Sequence, residues 1–207
     1  MSSIIESKDV SSKRKMFNVF LDLDNTIINS LEPEEIENLG VKSQKRLKLF
    51  QSEPLDDDYV VFLRPKLQKF LDFLFKNFNV SVWTAGSKAY MTFIVDKIIL
   101  IKPERKLDLV LNDVHCDYAT KNLGCIKNLS YLWKVAQLPG YYEWNTFLID
   151  DLEEIYLNDK KHVMRAKSFE VLENDSENDR FLMTAQRRLK RILKKGESAK
   201  KKLSRKK

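Results

Sequence analysis

The chain has 207 residues, 43% of them hydrophobic and 32% charged, which suits one ordinary domain with a buried core and excludes a disordered polymer. Its two cysteines, Cys116 and Cys125, are too few for a disulfide-stapled miniature, and free thiols explain them at least as well as a bridge. The net charge of +7 is uneven: residues 187–207 hold 12 basic groups and one acid, Glu197, whereas residues 1–186 hold 25 basic and 29 acidic groups, so a mildly acidic body carries a basic arm.

The N-terminal segment MSSIIESKDVSSKRK carries acids and lacks the apolar core and cleavage site of a secretory signal, which predicts an intracellular protein. Residues 17–23, FNVFLDL, form an apolar run ending in carboxylates, the pattern of a buried parallel strand. Residues 32–58 form a charged insert, expected to be a helical excursion plus loop. After Arg64 and Pro65, apolar residues recur at Leu67, Phe70, Leu71, Leu74 and Phe78, the spacing of an amphipathic helix, with Pro65 suited to its first turn. NVSVW, residues 79–83, predicts the next strand. Ser87 then caps a helix expected to run to about Ile99.

The apolar stretch 93–101 is interrupted by Asp96 and Lys97, far short of the roughly 20 residues a membrane-spanning helix needs, so no membrane is expected. Residues 107–111 suggest a short strand and residues 129–136 a short helix. Residues 146–149 form an apolar strand running into Asp150 and Asp151, and Val163 marks one more. A final helix is read from Phe181, Ala185, Leu189, Ile192 and Leu193, its other face basic. The alternation predicts an α/β fold, a doubly wound and mostly parallel sheet flanked by helices. Its expected boundaries are a tail at 1–16, one domain at 17–186, and a basic helix end and tail at 187–207.

In such sheets, sites collect where strands end at their carboxyl edge. Four polar clusters follow apolar runs here: Asp22 to Thr26 in DLDNT, Thr84 in TAG, Lys127 in IKNL, and Asp150 with Asp151 in LIDD. Strand alternation puts Asp22 and Asp24 on one side, where two acids repel unless a cation or shared proton relieves them. Carboxylates for a hard cation, an ammonium and hydroxyl for an anion, and a spare carboxylate as nucleophile or base together fit phosphoryl transfer.

The ordered set DLDNTIINS, RP at Arg64, VWTAG, IKNLSYLW and FLIDDLEEIY resembles the haloacid dehalogenase superfamily. More narrowly, it resembles the RNA polymerase II C-terminal-domain (CTD) phosphatases, the NLI-interacting-factor-like phosphatases, over roughly residues 17–172. The resemblance implies a magnesium-dependent protein phosphatase. Asp22 would be the nucleophile and Asp24 the general acid and base. Thr26, Thr84 and Lys127 would bind phosphate. Magnesium would be held by Asp22, the main-chain carbonyl of Asp24, and Asp151, with Asp150 in support.

Arg64 would either contact substrate or pair with an acid. The implied partner is a phosphoserine or phosphothreonine peptide, with the polymerase CTD repeat as a candidate, and the nucleus ranks ahead of the cytoplasm. Four positions depart from the usual pattern: Asn25, Asn29, Gly86 and Asn128 stand where Glu, His, Ser and Asp are common. Gly86 and Asn128 are expected to affect the orientation of Thr84 and Lys127.

Two other readings compete, a phosphatase of nucleic-acid 3′ ends and a weakly catalytic phosphopeptide adaptor. The basic arm suits nuclear import, an acidic partner or nucleic acid. His115, Cys116, Cys125 and His162 match no compact zinc spacing. Trp133, Tyr141, Tyr142 and Trp144 are read as core or rim residues, with a rim near the site able to receive a phosphopeptide.

Overall fold

A computed structural model of the protein describes residues 14–204, so the expected tail at 1–16 and the last residues of the basic arm lie largely outside the described residues. The chain opens with β1 (Asn18–Leu21) and leaves the main sheet through β2 (Ile28–Leu31), α1 (Pro33–Glu37), α2 (Val41–Leu47), β3 (Ser52–Leu55) and β4 (Tyr59–Leu63). It returns through α3 (Leu67–Asn77), β5 (Asn79–Trp83), α4 (Lys88–Ile94), β6 (Val110–Leu111) and α5 (Asp113–Leu123). It ends with β7 (Thr146–Asp150), α6 (Glu153–Asn158), β8 (Val163–Arg165) and α7 (Phe181–Ser204).

The main sheet is parallel throughout, in the order β6-β5-β1-β7-β8. Consecutive strands step outward from β1 on one side and then, after the chain crosses back, on the other. Strand order therefore reverses between β1 and β7, where a doubly wound sheet opens its ligand crevice.

Alternation along β1 explains why its run after Asn18 is apolar. Val19 and Leu21 face a cluster completed by Phe70 and Leu74 of α3, Ile94 of α4 and Leu189 of α7. Phe20 faces the other way, against Trp83, Cys116, Leu132 and Ile155. Both faces are covered, so no position of the strand is left for a polar residue turned to water. Each fully buried Leu or Phe in these layers contributes about 1.5–3 kcal/mol. On α3 the buried residues are Leu67, Phe70, Leu71 and Leu74, the stripe expected from spacing. Pro65 lies just outside, because Lys66 takes a left-handed φ of 71° before the helix begins.

The insert holds more strand than expected. β2, β4 and β3 form a second, antiparallel sheet in that order, with Ile28 opposite Leu63 and Leu55 opposite Tyr59. Residues 129–136 form a π turn at Tyr131–Val135 rather than a regular helix, and α4 likewise continues as a π turn over Val95–Ile99. Ser87 caps α4 as expected, accepting from the Tyr90 amide. No described helix is long and apolar enough to cross a membrane.

Candidate active site

The loop after β1 is wound around one carbonyl. Leu23 O accepts the amides of Thr26, Ile27 and Ile28 at 3.2, 2.9 and 3.2 Å, and Asn25 supplies the left-handed φ of 54° that the turn requires. The Asp22 amide meanwhile donates to Ile149 O of β7 at 3.0 Å. Asp22 thus leaves the sheet beside the end of β7, where Asp150 and Asp151 emerge.

Both oxygens of Asp22 are held. Lys127 Nζ donates to Oδ1 at 2.5 Å and Thr26 Oγ1 to Oδ2 at 2.7 Å. Lys127 also donates to Asp150 Oδ2 at 2.8 Å, while Asp150 Oδ1 accepts the Leu152 amide at 2.9 Å. Lys127 is 2% exposed and Asp150 fully buried, so the ammonium sits between two carboxylates away from water. Burial opposes its charge, yet Asp22 and Asp150 outweigh burial and hold its pKa well above the usual range.

One ammonium does not balance this centre. Ligand atoms of Asp22, Asp150 and Asp151 all lie within 4.8 Å of one another, and the Asp24 carboxylate adds a fourth negative charge nearby. Burial, followed by the charge on Asp22, raises the Asp150 pKa to about 6 and lifts that of Asp151. Crowded hard oxygens with an unrelieved negative charge are the donor set of a small divalent cation, so the residues fit magnesium.

Thr84 directly follows β5, the strand beside β1, and is 1% exposed. Its Oγ1 accepts the Gly86 amide at 3.0 Å, leaving the hydroxyl hydrogen for an anion. Gly86 is small for a reason: a Cβ there would lie 3.0 Å from the Tyr90 ring and 3.3 Å from Thr84 Oγ1. The Asn128 side chain donates to Leu123 O and accepts the Ser130 amide, bonds that do not involve the Lys127 ammonium. Asn25 and Asn29 form a latch, Asn29 Nδ2 donating to Asn25 Oδ1 while Asn29 Oδ1 accepts the Val171 amide.

Two candidate residues and the aromatic rim have surroundings that the sequence leaves open. The Thr26 hydroxyl bonds Asp22 Oδ2 at 2.7 Å and Asp151 Oδ1 at 3.1 Å, so it orients carboxylates. Of the two roles open to Arg64, the structure gives it the acid partner. Its fork grips Asp179 twice at 2.8 Å, its Nη1 donates to Thr26 O, and the side chain is buried. The aromatic rim is also elsewhere. Tyr141 is buried against Phe20, and Tyr142 and Trp144 precede β7 at the sheet's amino edge, the opposite end from Asp22 and Asp150.

Sequence reasoning missed Tyr90. Its hydroxyl donates to Asp24 Oδ1 at 2.5 Å and lies 2.7 Å from Ser30 Oγ. Burial raises the Asp24 pKa, and the Tyr90 hydrogen bond works against that rise. An aromatic residue in the first turn of an amphipathic helix looks like a core residue, and nothing in its spacing marks the hydroxyl.

Residues 17–200 match the model of the NLI interacting factor-like phosphatase family. A CTD phosphatase-like protein of Invertebrate iridescent virus 6 is 45% identical over 182 residues, covering 86% of this chain and 97% of that protein. A counterpart from Invertebrate iridescent virus 3 is 37% identical over 192 residues with the same coverage. Among solved structures, fission yeast RNA polymerase II CTD phosphatase Fcp1 bound to beryllium fluoride is similar at a TM-score of 0.53 and 18% identity. That match covers 86% of this chain and 50% of Fcp1, so this chain spans about half of the Fcp1 chain and shares its fold.

Proposed function

Because the chain belongs to the NLI interacting factor-like phosphatase family, we propose that it is a magnesium-dependent phosphatase of phosphoserine or phosphothreonine peptides that works through an aspartyl phosphate. Phosphatase activity follows from membership. The metal and the covalent step are proposed from the site's carboxylates, and the substrate from the family resemblance. The observation that carries the reading is Asp22, held by Lys127 on one oxygen and Thr26 on the other, with Asp150 and Asp151 within 4.8 Å.

In the first step an Asp22 oxygen attacks phosphorus while the ester oxygen departs, taking a proton from Asp24. In the second, Asp24 removes a proton from water, which attacks phosphorus and frees Asp22 and inorganic phosphate. Splitting the displacement this way lets one preorganised site serve both halves. Burial supports the acid role by favouring the protonated form of Asp24, and Tyr90 fixes Oδ1, which leaves Oδ2 for the exchange. Lys127 and the Thr84 hydroxyl supply charge and a donor for the phosphoryl oxygens. Asp22, Asp151 and the main-chain carbonyl of Asp24 would hold magnesium, with Asp150 in support through its bond to Lys127. The ion's contribution is to offset negative charge on the phosphoryl group.

The proposed domain covers residues 17–186, with the small antiparallel sheet as its insert and α7 closing the same core. The CTD phosphatase-like relatives support a phosphorylated protein as substrate; the polymerase repeat as a candidate and a nuclear setting belong to the proposal. The test is phosphate release from an aryl phosphate and from a phosphorylated polymerase-repeat peptide, with and without magnesium. Asp22→Asn is expected to abolish turnover on both while the fold stays intact. Turnover that survives in that variant would refute the covalent mechanism, and silence of folded wild type with magnesium would favour a binding module.

A further inference from the structure

Toward the amino edge of the main sheet, where Phe147 lies about 10 Å of strand away from Asp150, residues of α7, β7 and β8 line a cavity of about 250 Å³. Lys161, His162, Arg188, Arg191 and Lys195 line it, over a floor that includes Phe147 and Ile192. Arg188, Arg191 and Lys195 stand one turn apart on α7. Among the described residues, their exposed side chains have no hydrogen-bond or ion-pair partner. Lys161 reaches Glu143 at the rim, 3.3 Å away.

His162 is the informative residue. It is 5% exposed, and its Nδ1 is bound to both oxygens of Asp159 at 2.9 Å. Nε2 is buried without a protein partner, in a side chain that lines the cationic cavity. A buried ring nitrogen without a partner costs free energy unless something outside the chain completes it.

An aromatic platform lies two ring contacts from Phe147 in the cavity floor. Trp144 and Tyr142 stack with their planes 4° apart, and they remain 58% and 50% exposed. Consecutive ring contacts of 6.3, 6.1 and 6.2 Å run from Trp144 through Phe17 and Phe147 to His162. Unpaired cations along a helix flank attract any polyanion, but flat exposed rings beside them offer bases a face to stack on, which an acidic peptide does not use.

The geometry points to a docking surface for single-stranded nucleic acid. One backbone phosphate sits in the cavity against His162 and Arg191, neighbouring phosphates lie along Arg188 and Lys195, and a base stacks on Trp144. The surface is separate from the phosphatase site and does not depend on how that site works.

Fluorescence anisotropy of the full chain with a dye-labelled oligothymidylate of about 16 nucleotides tests this. Replacing Arg188, Arg191 and Lys195 together by Gln removes three charges from the cavity. Replacing Arg187, Lys194 and Lys200 by Gln removes three from elsewhere on the same helix. The cavity triple is expected to weaken binding more than tenfold and to lower the salt slope by about 2, at about 0.7 per single-strand contact. The control triple is expected to change affinity by less than about threefold.

Trp144→Ala is expected to cost about tenfold through lost stacking. Asp22→Asn is expected to bind as wild type, so failure of the catalytic reading and failure of this one are separable. Circular dichroism and a thermal melt confirm that each variant is folded. Equal losses in the two triples would reduce the effect to diffuse charge and overturn the site. So would an unchanged affinity in Trp144→Ala, or displacement by polyglutamate as effective as by unlabelled oligothymidylate.

Discussion

Lys127→Met removes the ammonium and keeps the apolar stem. Asp22 and Asp150 are then left buried, at 6% and 0% exposure, without their shared partner. Removing one member of a buried ion pair costs about 3–5 kcal/mol, because the charge left behind is unsolvated. The loss carries a pH signature. Asp150 already has its pKa raised to about 6, by burial first and by Asp22 second, while Lys127 works against the rise; without Lys127 it climbs further.

A carboxyl whose folded pKa exceeds its unfolded value of about 3.9 binds more protons when folded at intermediate pH, so stability rises as pH falls through the folded value. Between about pH 7.5 and about pH 5.5, each such carboxyl recovers up to about 2.7 kcal/mol, at about 1.36 per unit. Urea unfolding of both proteins in EDTA at the two pH values measures this. The expected result is a large deficit at the higher pH that shrinks by roughly half at the lower. An equal deficit at both, or one below about 1 kcal/mol, would refute the view of Lys127 as counter-charge to a buried acid pair.

Tyr90→Phe removes the hydrogen bond that restrains the Asp24 pKa. The limb of the pH–rate profile that reports the acid is expected to move to higher pH with little change in KM; a fixed profile would deny Tyr90 its positioning role. Gly196 lies within α7, and Gly196→Ala on propensity alone would gain about 1 kcal/mol. A Cβ there would meet the Phe17 ring at 2.6 Å, so a lower melting temperature is expected, and a higher one would show that the ring yields. In Arg64→Lys the charge survives but the fork is lost. Burial opposes ionisation of Asp179, yet Arg64 outweighs it and holds the carboxyl below its usual range. That pair contributes above about pH 4 and is lost as pH falls through the depressed value. The acid-unfolding midpoint of Arg64→Lys is expected to rise, as a circular-dichroism titration would show.

What could be read from the sequence follows from what each element buries. NVSVW is covered on both faces, so its apolar run coincides with β5. β3, SEPL, has three exposed residues and one half-buried, and contains Pro54 on a strand paired on one side only, so no alternation marks it. α5 buries Cys116 and Ala119 alone of its eleven residues, which leaves no apolar stripe to find. In the site, acids that directly follow apolar strands were legible because strand ends are. Tyr90 and Asp179 were not, since their partners Asp24 and Arg64 lie 66 and 115 residues away in sequence and only the folded sheet brings them together.

The pairing of β1 with β7 also sets when the enzyme can exist. Asp22 is made before its partners: the lysine that neutralises it lies 105 residues later, and the acids that would complete the proposed cation site come later still. A chain emerging from the ribosome therefore carries its proposed nucleophile with neither counter-charge nor metal site. The strand that closes the crevice can dock beside β1 only after the more than one hundred residues between them have been synthesised. Hydrolysis is thus tied to completion of the sheet, and a fragment ending before β7 would hold the opening motif without the chemistry.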